Sequence, residues 1–274
     1  MEIVLPTCLR PPNRRFSDLE RARILARSLE RYLAPGEPWT IHVIAADREL
    51  DGIRAGPEAF RLDLRFHRHS EVLPGYSTES GWILQQFLKL EAVRLIEGEF
   101  YLSLDSDHIL TRPLSQFDIV RDGRAMATPG RRERHETWWR GTAEILGTEP
   151  VDNPVIALTC ACLSTTLVRG LLERLRERQG EDWKSRLASR RDWTEFSLYH
   201  TFARRCADVS RFHFHGELLS TRHCVWLPQE FEEWDVERAF GGDHYFIDLQ
   251  SNTNIPPELI RDLTEKHLGP WVSA

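Results

Sequence analysis

Glu99-Phe100-Tyr101-Leu102-Ser103-Leu104-Asp105-Ser106-Asp107-His108 is an apolar, strand-like run that breaks off at two carboxylates one residue apart. Open α/β sheets bind ligands beyond the carboxyl ends of their strands, so a strand ending in Asp-x-Asp delivers acids to that place. Alternate strand side chains share a face, and if the strand continues through the motif, Asp105 and Asp107 both reach one hard cation through oxygen. That pairing suits a divalent metal holding a diphosphate. The plain alternative is an Asp-rich turn after an edge strand, because Asp and Ser are ordinary turn formers. The neighbouring segments decide between the two.

Upstream of the motif the chain alternates. Strand-like Glu2–Thr7 is followed by a helical pattern over Ser17–Leu33, then strand-like Trp39–Ala45 and Arg61–His67, the order that builds an α/β layer. Leu19, Ala22, Ile24, Leu25, Leu29 and Leu33 repeat at helical spacing, and Ser17 with Glu20 reads as a capping box. A second helix is expected over Ser80–Ile96, its buried stripe including Trp82, Ile83, Phe87, Leu90 and Val93, with Gly98 stopping it before the acidic strand. Downstream, strands are expected at Arg124–Pro129, Val155–Cys162, Phe212–Phe214 and His244–Leu249. Helices are expected at Thr166–Arg178, Thr194–Cys206 and Pro256–His267. No Gly/Ser/Pro linker or internal repeat divides the sequence, so one continuous domain over residues 1–274 is expected.

Composition narrows the function classes. The chain has 274 residues, 41% hydrophobic and 28% charged, as in an ordinary globular protein, and no apolar run approaches a membrane span. A net charge of −6 argues against general attraction to nucleic acid. Five cysteines with no Cys-x-x-Cys favour neither a disulfide framework nor a zinc ribbon. The first residues read as a core strand and not as a secretory signal. A cytoplasmic protein with no integral membrane segment is the expectation.

The opening strand, the alternation, the helix and the Asp-x-Asp strand together resemble the GT-A family of metal-dependent glycosyltransferases. The resemblance is carried by Phe100 to Asp107, by Gly81-Trp82-Ile83-Leu84-Gln85-Gln86-Phe87-Leu88-Lys89-Leu90, and by Thr111-Arg112-Pro113-Leu114. Within that superfamily the chain is most similar to a bacterial group of glycosyltransferases. The likeness covers most of the layout, while its specific motifs lie between Gly75 and Pro113. It implies a Rossmann-like mixed central sheet flanked by helices, with a nucleotide-sugar half over 1–115 and an acceptor half over 116–274. It also implies a UDP- or GDP-sugar donor held with Mn²⁺ or Mg²⁺, and an acceptor hydroxyl whose owner is unknown.

The same resemblance assigns roles. Asp107 is expected to bind the metal directly, and Asp105 the ribose or the metal's water shell. A late histidine often supplies the third ligand; of His213, His215, His223 and His244, the last follows a Gly pair and opens a late strand, and is the expected one. Thr7 and Asp47, at the ends of the first two strands, sit where the family binds the nucleoside. An acid that orients or deprotonates the acceptor is expected at Glu195, with Asp192 behind it.

Other readings rest on the residues themselves. Gln85 and Lys89 lie one helical turn apart, either reaching phosphate and sugar oxygens or forming a solvated face. Glu195 at a helix start is equally plain dipole complementation. The polar run Gln250–Asn254 either closes over donor or acceptor or is a surface loop, and Arg131, Arg132 and Arg134 either engage an anionic substrate or are solvated. His67-x-His69 and His213-x-His215 have zinc-like spacing without a full ligand set. Aspartyl-nucleophile phosphatases also use Asp-x-Asp, but on their first core strand and with Thr or Val where Ile109 stands here. A nucleotide-sugar binder that performs no transfer is the remaining alternative.

Overall fold

The computed structural model describes residues 1–9, 15–54, 60–78, 80–157, 160–216, 219 and 223–271. Strand β1 (Glu2–Pro6) is flanked by β2 (Thr40–Ala45) on one side and β4 (Phe100–Ser103) on the other, with β3 (Asp63–Arg68) outside β2. These four are mutually parallel, and an Ala161–Ser164 strand closes the β4 edge antiparallel, which makes a mixed sheet. The chain steps outward from β1 to β3 and then crosses to the far side of β1. The β1–β4 junction is therefore the switch point where α/β sheets open a ligand crevice.

Strands buried on both faces read as continuous apolar runs, as Ile3, Val4 and Leu5 do at 0%, 0% and 3% exposure. Pleating sends Ile3, Leu5, Ile41 and Leu102 to the face under helix α1 (Asp18–Tyr32). Val4, Ile44, Tyr101 and Leu163 go to the other face, where Phe87, Trp183 and Trp193 pack. Short α2 (Leu50–Arg54) lies between β2 and β3, and between β3 and the acidic strand come α3 (His69–Val72) and α4 (Gly81–Glu91). α4 meets a Glu195–Arg205 helix and β1 across the second face.

Ser17 does cap α1, accepting from the Leu19 amide at 3.1 Å. Glu20, however, pairs with Arg23 instead of closing a box, because the guanidinium three residues on is the closer partner. α4 ends five residues earlier than the apolar stripe suggests and tightens into a 3₁₀ turn over Ala92–Arg94. The expected Val155–Cys162 strand is present as Val155–Ile156 and Ala161–Ser164; residues 158–159 lie outside the described set. A helix at Glu136–Leu146 was not expected. After the acidic motif, β5 (His108–Leu110) leaves the large sheet and pairs antiparallel with a Phe246–Asp248 strand. Among the described residues no helix is long and apolar enough to cross a membrane.

Candidate metal centre

β4 stops at Ser103, so Asp105 and Asp107 lie on a turn and not on a continuing strand. His108 closes that turn: its Nδ1 accepts from the Asp105 amide at 3.0 Å, and its own amide reaches the Asp105 carbonyl at 3.3 Å. The turn still brings the acids together, with ligand atoms of Asp105, Asp107 and His108 all within 4.8 Å of one another. Strand alternation was thus the wrong reason for a correct juxtaposition.

α4 supplies one wall. Gln85 Nε2 donates to Asp105 Oδ1 at 2.8 Å, and Lys89 Nζ meets the same oxygen at 2.7 Å. Lys89 is 2% exposed, so these two residues do not form a solvated face. On its other side Lys89 pairs with Glu195 Oε1 at 2.8 Å, and its ammonium lies 5.1 Å from the centre of the Phe196 ring. Burial pulls the Lys89 ammonium down, but the charges of Asp105 and Glu195 outweigh it and hold the group above its ordinary range. Burial pushes the Glu195 carboxyl up against the pull of Lys89. Gln86 anchors the helix carrying Glu195 by accepting from the Glu195 amide at 3.1 Å.

The opposite wall comes from the end of the chain. The Ser251 amide donates to Asp107 Oδ2 at 3.0 Å, so the polar run Gln250–Asn254 does reach the centre. The register sets Asp248 opposite His108. Asp248 is 1% exposed, and burial, followed by the Asp107 charge, pushes its carboxyl well above the usual range. Gln250 holds one of its oxygens at 2.7 Å. The remaining oxygens are informative: Asp107 Oδ1 and Asp248 Oδ1 are buried with no hydrogen-bond partner among the described residues. Burying such atoms unsatisfied is costly. Carboxylate oxygens crowded around a small volume are the donor set a hard divalent cation prefers, so the residues fit one.

Other expected residues fall elsewhere. His244 is not brought to this centre: the Thr111 hydroxyl donates to the His244 carbonyl at 3.2 Å and the Thr111 amide to the Tyr245 carbonyl at 2.9 Å, and the register carries His244 to the far end of β5 from Asp107. Asp192 is held by Arg190 in a two-pronged pair at 2.8 and 2.6 Å, which keeps its carboxyl below the ordinary range. Asp47 accepts the Ser70 amide and hydroxyl at 3.1 and 2.6 Å and so organises the start of α3. Thr7 follows β1 at the crevice, 6% exposed, its hydroxyl without a partner among the described residues. It also borders an apolar hollow of about 280 Å³ beside Leu5, Val43 and Phe66, which contains none of the acidic residues. Neither zinc-like histidine pair belongs to a metal-competent cluster among the described residues. His213 instead hydrogen-bonds Tyr199 at 2.6 Å.

Asp248 and His108 were missed as site members. Asp248 reads as one polar residue inside an apolar strand, and only its pairing with a strand about 140 residues earlier gives it meaning. A buried acid at the end of a late strand was the available signal.

The sheet order and its switch point define an α/β fold with a central mixed sheet flanked by helices. The structure is similar to that of mouse xyloside xylosyltransferase 1 in its apo form, with a TM-score of 0.54 and 16% identity, covering 93% of this chain and 100% of that one. By sequence, residues 1–269 match the family described as "Family of unknown function (DUF6492)", and the chain belongs to that family. No curated protein matches it.

Proposed function

We propose that the protein is a metal-dependent glycosyltransferase that binds a UDP- or GDP-sugar with Mn²⁺ or Mg²⁺ and passes the sugar to an acceptor hydroxyl. The observation that carries this reading is the meeting of Asp105, Asp107 and His108 on the turn after β4, with Asp107 Oδ1 and His108 Nε2 buried and without a hydrogen-bond partner among the described residues. Likeness to a xylosyltransferase fold supports it.

Asp105, Asp107 and His108 would hold the cation, with Asp248 beside them. A divalent cation there neutralises the diphosphate that leaves with the nucleoside. Lys89 and Gln85 fix the Asp105 carboxylate in one orientation, and the Ser251 amide does the same for Asp107. Thr7 offers its free hydroxyl to the donor from the β1 side of the crevice. Glu195, at 2% exposure and locked to Lys89, serves as a positioning residue and does not face an acceptor. In this reading residues 1–115 form most of the donor side and 116–274 the acceptor side, within one domain.

Titration calorimetry with UDP and GDP in the presence and absence of Mn²⁺ tests the claim. The wild type should bind one nucleotide in a metal-dependent way, and Asp107→Ala should lower that affinity by at least about 100-fold, as loss of a direct ligand does. Unchanged affinity and metal dependence in Asp107→Ala would sink the reading. Release of free nucleoside diphosphate from a sugar donor then separates transfer or hydrolysis from binding alone.

A further inference from the structure

One turn of α4 toward solvent from Gln85, an aromatic cluster stands at the rim of the site. Trp82 is 38% exposed and lies 6.4 Å from Trp138, centroid to centroid, while His135 stacks on Trp138 at 4.5 Å with the rings 6° from parallel. Trp138 is fixed by its indole N–H, which donates to the Arg191 carbonyl at 3.2 Å, in the segment that leads into the helix carrying Glu195. Along the helix axis Trp82 is only about 4.5 Å from Gln85, the residue that holds Asp105. α4 precedes β4 and runs against it, so its first turn overlooks the carboxyl end of the sheet, where the crevice opens.

A ring face carries negative charge density that attracts the weakly positive C–H groups of a pyranose, and stacked aromatic rings at a rim offer such a face. The flanking segment carries Arg131, Arg132, Arg134 and Arg140 against Glu133 and Glu136. Arg131, Arg134 and Arg140 flank His135 and Trp138 in sequence and are exposed. None has a carboxylate within ion-pair distance among the described residues, whereas neighbouring Arg132 is paired with Glu136. Burial and the Arg134 charge lower the His135 imidazole, which leaves it a neutral stacking surface.

We propose that Trp82, Trp138 and His135 form the acceptor subsite, and that it takes an anionic pyranose, a sugar ring bearing a carboxylate or a phosphate. The ring stacks on Trp82 and the anion meets the free arginines. This assignment rests on the glycosyltransferase reading and names the class of its acceptor.

The test uses the full chain with UDP and Mn²⁺ and follows tryptophan fluorescence and saturation-transfer NMR. The probes are methyl glucuronide, glucose 6-phosphate and neutral methyl glucoside. One or both anionic probes should bind, more tightly than methyl glucoside, with saturation reaching the ring C–H protons. Trp82→Ala should weaken that binding roughly tenfold, the size of a lost aromatic contact, and Trp82→Phe should restore part of it. Arg134→Gln combined with Arg140→Gln should erase the preference for anionic over neutral sugar. Phe117→Ala, an exposed aromatic on the Gln116–Ile119 helix, should change nothing. The proposal is overturned if no anionic probe binds the wild type, or if Trp82→Ala binds it unchanged. It is equally overturned if Trp82→Ala loses UDP, because the platform then holds the nucleobase. Absence of UDP binding to the wild type, with sugar stacking on Trp82 intact, would count against the glycosyltransferase reading and not against the platform.

Discussion

Lys89 is the residue on which the electrostatics of the site turns. A fully buried ammonium survives only because two carboxylates meet it, Asp105 at 2.7 Å and Glu195 at 2.8 Å. Replacing it with Met keeps the volume but leaves Glu195 buried and unpaired. Such a break costs about 3–5 kcal/mol, so Lys89→Met should lower the urea midpoint strongly. Adding Glu195→Gln should recover a good part of the loss, because the stranded charge is then gone. Equal stabilities of the single and double variants would show that the pair is not coupled. The sequence placed Lys89 and Gln85 on one helix face but could not say that the face is buried. That depended on Glu195, a residue 106 positions away.

At the scale of elements, α4 joins the five-stranded sheet to the later helices. Phe87 packs edge-on against Trp183 at 5.4 Å and lies 5.3 Å from Trp193, all of them buried. Phe87→Ala should destabilise by about 3–5 kcal/mol through the cavity it leaves, measured as a fall in ΔG of unfolding with the m-value unchanged. A loss below about 1 kcal/mol would mean that the aromatic cluster closes over the gap.

Elements with strong local patterns were legible: α1, α4 and the helices from Thr165 and Glu195 match their apolar periodicity within a few residues. The Glu136–Leu146 helix was not. Its buried residues include Gly141 and Thr142 beside Trp139, and a Cβ on Gly141 would come within 2.1 Å of the Asp192 carbonyl. Close packing there demands small residues, which blurs the apolar stripe. β5 was hidden for another reason: three residues following an acidic turn carry too short a pattern to read.

For the whole molecule, two buried histidines weaken the fold in acid. Burial holds His200 down to about 3 and His213 down to about 4, against an ordinary value of 6.5 in the unfolded chain. Between those values the unfolded state binds more protons than the folded one. Their contribution is therefore complete above pH 6.5 and is lost as pH falls toward 4 and then 3. Each should remove on the order of 1 kcal/mol per pH unit in that window. Chemical denaturation at pH 7, 6, 5 and 4.5 checks this, and His200→Phe should flatten the slope. A slope identical in the variant would show that His200 is protonated in the native state.

The parallel strands of the large sheet were legible from alternation alone, whereas the acidic centre was only half legible. Its near half, Asp105 and Asp107, stands in one decapeptide. Its far half arrives by tertiary pairing.

The contact between Ser251 and Asp107 spans 144 positions. During synthesis, strands β1 to β4 leave the ribosome long before the segment that completes the acidic turn exists. The early sheet can gain its order while Asp107 still faces water, and the site closes only when Phe246–Asp248 zips onto β5. Binding competence is then a proof of completion: a chain halted short of its last sixth would carry the motif without the grip.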